Sequence, residues 1–109
     1  MEEAIKEQTE KLIQVILESD VYQSYKIQKE KIANMPELKS QIDEYRRKRF
    51  ELQNIDDESL LFDKMEEFDR QYQKFEEDPI VEAFLAAELD FCRDMQEMYN
   101  TLTAALEFD

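Results

Sequence analysis

The chain has 109 residues, the length of one domain with one modest core. It carries 28 acidic and 14 basic residues, and its net charge of −14 disfavours direct binding to nucleic acid. There is no Gly, no His and a single Cys, so the sequence offers no phosphate-binding glycine loop, imidazole base or thiol cluster. We therefore expect a noncatalytic protein with no cofactor and no metal site.

Helix-forming residues dominate the composition, and turn-forming residues are almost missing. We expect an all-α fold in a single domain over residues 1–109: an elongated up-and-down bundle of four to five helices, completed by dimerisation. No apolar run approaches the roughly 18 residues of a membrane span, and the N-terminal segment lacks the features of a signal peptide. The sequence thus predicts a cytoplasmic protein with no membrane insertion.

The first two predicted helices meet at Ser19 and Asp20, which are favourable residues for the N-cap of the second helix. Each helix has one apolar face at helical spacing. The first face consists of Ile5, Thr9, Leu12 and Ile16, and the second of Val21, Tyr22, Tyr25, Lys29 and Ile32.

A third helix is predicted to begin at Pro36, and a fourth to follow a group of capping residues near Asp57. Their apolar stripes are Leu38, Ile42, Tyr45, Arg49 and Leu52, and then Leu61, Met65, Phe68, Tyr72 and Phe75. The two stripes do not share one heptad register. Either the chain turns between Ile55 and Ser59, or one long helix carries a stutter there, and we favour the turn.

The last helix is predicted to begin with Asp78 as N-cap and Pro79 at the first helical position. Its apolar face is wide enough to contact more than one neighbour, and we expect part of it to form an oligomer seam. The predicted seam consists of Val81, Leu85, Cys92, Met95, Tyr99, Leu102 and Leu106. We expect Cys92 to be a buried, unreactive thiol.

Two charged residues, Arg49 and Glu88, interrupt these apolar stripes. A buried carboxylate needs a cation, so we predict a structural ion pair between them, within the chain or across a dimer, that fixes helix register. A catalytic or metal-binding role for Glu88 is the alternative. It is disfavoured because carboxylate metal sites in helical bundles also use His.

The basic run YRRKR at residues 45–49 lies among acids at helical spacing. Ion pairs of Asp43 with Arg47 and of Glu44 with Lys48 are expected, and Glu51 lies four residues after Arg47. This pattern favours a solvated helix surface with many ion pairs over a nucleic-acid site. The residues Arg46, Arg47 and Lys48 are a candidate surface for docking a protein partner. The acidic groups at Glu66, Glu67 and Asp69, and at Glu76 to Asp78, are interpreted as hydration or helix-start charges.

Three segments in this order resemble the YlbF/YmcA/YheA-like family of small helical regulators of Gram-positive bacteria. They are LESDVYQSYK (17–26), NMPELKSQIDEYRRKRFELQ (34–53) and DPIVEAFLAAELDF (78–91). The last is similar to the family signature NP-x-V-x-x-F-x-x-A-E. The matching positions are Asp78, Pro79, Val81, Phe84, Ala87 and Glu88.

The resemblance implies a helical, commonly oligomeric regulator that acts through protein partners. Members of the family are linked to competence, sporulation and biofilm development through a complex that influences RNase Y and messenger RNA maturation. Some carry a Cys-bearing C-terminal extension implicated in iron–sulfur binding. This chain ends at ALEFD with Cys92 alone, so we expect no cluster here.

These observations together predict a noncatalytic cytosolic adaptor or regulator. Its expected partners are itself, as a homo-oligomer with the dimer favoured, and other YlbF-like proteins or RNA-decay regulators. The alternative is a purely structural helical protein that associates only with itself.

Overall fold

The computed structural model describes residues 1–108 as five α-helices joined by short connections. They are α1 (Glu3–Glu18), α2 (Asp20–Ala33), α3 (Pro36–Gln53), α4 (Glu58–Glu77) and α5 (Pro79–Ala105). No strand occurs within this described range, and the predicted all-α class is confirmed. Of the helices in residues 1–108, none is long and apolar enough to cross a membrane.

Three helix starts are stabilised by the capping residues that the sequence predicts. A side-chain oxygen before the helix accepts a bond from a backbone N–H that has no partner in the first turn. The bonds run from Tyr22 N–H to Ser19 Oγ, from Leu60 N–H to Asp57 Oδ1 and from Ile80 N–H to Asp78 Oδ1, at 3.2, 3.2 and 2.9 Å. Pro36 and Pro79 begin α3 and α5. The break between Gln53 and Glu58 confirms the predicted turn.

The chain divides into two packing units. The first contains Met1–Lys29 and the chain from Phe84 onward, and the second contains Glu30–Ala83. Both unit boundaries fall inside continuous helices, α2 and α5. The single-domain organisation stays a prediction.

The first unit brings aromatic side chains of α2 against α5. The Tyr22 ring meets Phe91 edge-on, with centroids 5.4 Å apart. The Tyr25 ring stacks on Phe91 at 5.2 Å and also contacts Phe84 at 6.1 Å. By contrast, α1 has no buried residue, and Ile5 on its predicted apolar face is 55% exposed. The helix faces read from the sequence are therefore only partly covered within one chain.

The second unit is held together by the packing of α3 on α4. Ile42 and Tyr45 of α3 and Tyr72 of α4 are buried there. Ile32 at the end of α2 and Val81 at the start of α5 are also buried. These positions all lie on the predicted stripes, so the helical periodicity identifies the inward-facing side of α2, α3, α4 and the start of α5.

Ile42 is 1% exposed, so its truncation should open a cavity in the second unit. We expect Ile42→Ala to lower the free energy of unfolding by about 2–4 kcal/mol. Urea unfolding followed by circular dichroism measures the change. The control is Ile27→Ala on α2, where the side chain is 50% exposed and the expected loss is under about 1 kcal/mol. Equal losses at the two positions would contradict the assignment of Ile42 to the core.

Candidate interaction surfaces

Tyr45 lies at the centre of an aromatic cluster that joins α3 to α4. Its ring centroid is 5.2 Å from that of Phe68, 5.1 Å from Tyr72 and 5.6 Å from Phe75. The three α4 residues lie at spacings of three and four, which places them on one helix face. Aromatic rings at these distances add attraction beyond the burial of their area.

The Tyr45 hydroxyl donates a hydrogen bond to Glu76 Oε1 at 2.7 Å. Glu76, predicted to be a charge on a solvent face, is exposed and in addition accepts this bond between the two helices. A signal was available, since Glu76 follows Tyr72 by four residues and so continues the α4 stripe. Burial raises the pKa of Tyr45 to about 12, with the bond to Glu76 and its negative charge adding to the rise. The nearby guanidinium of Arg49 opposes it.

Cations of the basic run on α3 form ion pairs with acidic residues of the same helix. Lys48 lies 3.5 Å from Glu44, as predicted, and Arg47 lies 2.8 Å from Glu51. The predicted pairing of Arg47 with Asp43 is replaced, because Glu51 holds Arg47 and Asp43 lies 3.6 Å from Arg46. Most of these side chains are at least half exposed, so the pairs orient the surface more than they stabilise it.

Two cations of the run lie over aromatic rings instead of projecting freely. Lys48 Nζ is 5.6 Å from the centre of the Tyr72 ring, and the Arg49 guanidinium carbon is 5.4 Å from that of Tyr45. The electron-rich ring face attracts each charge. Arg49 is exposed and Glu88 is partly buried, and their predicted ion pair stays a prediction.

An open groove of about 360 Å³ lies between the adjoining ends of α3 and α4. It is lined by Arg49, Leu52, Gln53, Leu61, Met65, Phe68 and Asp69. Its surface is mainly apolar. Met65, one of the lining residues, is 47% exposed. Its apolar members lie on the predicted α3 and α4 stripes, but helical periodicity alone does not predict that they leave a groove. We call this feature the hairpin groove.

The residues of the predicted oligomer seam on α5 differ in their exposure along the helix. Val81 is completely buried within the chain, whereas Leu85 and Met95 are partly exposed. The C-terminal members are open, with Tyr99 57%, Leu102 50% and Leu106 73% exposed. Cys92 is exposed on the single chain, so the expected burial of its thiol within the chain is wrong.

A second cleft, between α2 and α5, is acidic. Asp20, Asp90, Asp94 and Glu97 line it together with Arg93. Within residues 1–108, no three Asp, Glu, Cys or His side chains converge as metal ligands would. Its lining is mainly negative in charge.

The family model described as "Control of competence regulator ComK, YlbF/YmcA" matches residues 5–107, almost the whole chain. This chain belongs to the YlbF/YmcA family. The match confirms the family recognised from the sequence and supports a regulatory role. Comparisons with curated proteins and with solved structures give no match.

The positions that resemble the YlbF/YmcA signature form the start of α5. Asp78 caps the helix, and Pro79 occupies its first position, where a missing N–H costs no bond. Val81 and Phe84 are 0% and 3% exposed. Ala87 and Glu88, which complete the signature, are partly buried. The signature residues therefore contribute to the initiation and the packing of α5.

The raised pKa of Tyr45 predicts a loss of stability at high pH. An unfolded Tyr loses its proton near pH 10.0, whereas folded Tyr45 keeps it to about 12, so its contribution is complete below pH 10.0 and is lost as pH rises through that interval. Tyr45→Phe should remove this component and lower stability at neutral pH by about 1 kcal/mol through loss of the Glu76 bond.

Urea unfolding at a series of pH values, with phenolate absorbance recorded in parallel, measures both effects. Tyr99→Phe is the control, because this ring is 57% exposed. A Tyr45→Phe variant that kept the wild-type pH profile between 10.0 and 12 would contradict the assigned coupling.

Proposed function

We propose that this chain is a noncatalytic cytoplasmic adaptor that regulates other proteins by binding them. The observation that carries the proposal is the match to the YlbF/YmcA family over residues 5–107. The helices leave many apolar side chains uncovered, which is typical of surfaces that bind proteins. In accord with the family resemblance, the proposed partners are other YlbF-like proteins and factors of RNase Y-dependent messenger RNA processing.

Self-association is the second part of the proposal, and the surface area of the chain supports it. The accessible surface is 8819 Å². A folded monomer of 13.2 kDa exposes about 6400 Å² by the usual scaling with mass. The excess, about 2400 Å² per chain, is of the size that an obligate homodimer covers. The exposed C-terminal part of the α5 seam is the first surface that we assign to this association.

A purely structural protein that binds only itself is the competing function. The two functions differ in whether a different protein is bound specifically, and the basic run supports such binding. Its cations are oriented by ion pairs and rings and stand out in a chain of net charge −14. A fixed positive patch on an acidic protein favours a partner with a complementary acidic surface.

Affinity capture from the native cytosol, followed by mass spectrometry, tests the regulatory proposal. We expect wild-type protein to retain RNA-decay factors or YlbF-like proteins, and the double variant Arg47→Glu with Lys48→Glu to lose most of them. Lys11→Glu, which changes an exposed basic residue on α1, is the matched control and should retain them. Capture of no other protein by folded wild type would support the structural alternative.

Leu102→Asp should weaken self-association through the α5 seam, because a charge would be buried where Leu102 now offers an exposed apolar side chain. Multi-angle light scattering should show a lower mass while circular dichroism shows unchanged helix content. The control is Ala104→Asp, an exposed position on the opposite side of the same helix. An unaltered mass for Leu102→Asp would exclude Leu102 from the interface.

A further inference from the structure

The hairpin groove has an apolar floor between one positive and one negative rim residue. Leu52 and Phe68 contribute to the floor, Arg49 lies on the α3 side and Asp69 on the α4 side. Both charged residues are exposed. The opposite charges on the two helices limit which surface can cover the groove.

Arg49 differs from the other three cations of the basic run in its local partners. Arg46, Arg47 and Lys48 each lie within 3.6 Å of an acid on α3. The residues three and four positions from Arg49 are Tyr, Arg, Leu and Gln, so its own helix offers it no carboxylate. Its guanidinium lies over the Tyr45 ring and also hydrogen-bonds with the Tyr45 side chain. A guanidinium has five N–H donors, so others remain that can donate to a carboxylate.

Asp69 is in the corresponding position on α4. Three and four residues away lie Met, Glu, Tyr and Gln, so no cation of α4 is placed to pair with it. The hydrogen bond of Tyr45 to Glu76 fixes the antiparallel register of the two helices. The Tyr45 ring packs 5.1 Å from that of Tyr72. Arg49 is four residues after Tyr45 and Asp69 is three residues before Tyr72, so in this antiparallel pair both lie about one turn further along, at the same level of the groove.

We propose that the hairpin groove is covered by the hairpin groove of a second copy of this chain. A two-fold interface requires a patch that is complementary to itself. With the two-fold axis along the groove, the floors face one another, and Arg49 of each copy meets Asp69 of the other. The apolar floor needs no other partner, because its counterpart is identical.

The neighbouring side chains extend this self-complementary patch. Met65 is 47% exposed at the groove, and Phe62 is 65% exposed. Phe62 precedes Asp69 by seven residues and so lies on the same row of α4. Burial of these side chains would cover part of the excess surface of the chain. This inference rests on the self-association in the proposed function and assigns it a second interface, distinct from the α5 seam.

Charge reversal tests the groove. Arg49→Asp places a negative charge opposite Asp69 of the other copy, and Asp69→Arg places a positive charge opposite Arg49. Because like charges then repel at both contacts, each single variant should weaken self-association at least about a hundredfold. Arg49→Asp combined with Asp69→Arg in one chain should restore it. An equimolar mixture of the two single variants should also associate, because both contacts of a mixed pair then join opposite charges. One contact joins the two substituted residues, and the other joins the unchanged Arg49 of one variant to the unchanged Asp69 of the other.

The measurements are mass by multi-angle light scattering over a concentration series and helix content by circular dichroism. Lys39→Asp is the matched control: it makes the same charge change on an exposed α3 residue that does not line the groove, and it should leave the mass unchanged. Recovery in the mixed sample is the strongest support, since neither variant alone provides the complementary pair.

Three results would overturn the proposal. Unchanged mass in both single variants would show that another protein, or none, covers the groove. Rescue of Arg49→Asp by Glu88→Arg, and not by Asp69→Arg, would assign Arg49 to the ion pair predicted from the sequence. A wild-type chain that is monomeric at all concentrations would remove both interfaces. If the groove variants keep their mass while Leu102→Asp loses mass, the groove interface is refuted and the self-association through the α5 seam is retained.

Discussion

The packing of Tyr45 against α4 is the interaction on which the second unit depends. One buried ring contacts three others, and its hydroxyl bonds to Glu76. The rings supply attraction over a large area. The hydrogen bond selects one register of α3 against α4 among the alternatives that an apolar helix face allows. That register determines which α3 residues lie opposite which α4 residues, and therefore the composition of the hairpin groove.

The core is small relative to the apolar content of the sequence. Hydrophobic residues make up 42% of the chain, yet few large ones are fully buried and many are open. Folding of one chain therefore uses only part of the available hydrophobic driving force, and binding can use the rest. A regulator that acts by association needs such uncovered surface, and this requirement links the fold of this YlbF/YmcA-family chain to its proposed activity.

Electrostatics supplies specificity on that surface. The net charge of −14 repels nonspecific contacts between acidic proteins, while the basic run and the charged rims of the groove mark places where approach is favoured. Cations that are held by Glu44, Glu51 or an aromatic ring cannot rearrange freely for any partner. In the proposed adaptor these cations would select partners by position as well as by sign.

The sequence by itself determined the helices, their ends, their inward faces and the family. Asp57, Asp78 and Pro79 act on residues within one turn, and local physics of that kind is readable along the chain. The tertiary structure alone decided which apolar stripes are covered, why Ile42 is buried and Cys92 is exposed, and why Glu76 binds Tyr45. Those outcomes depend on distances between segments far apart in sequence, which helical periodicity does not encode.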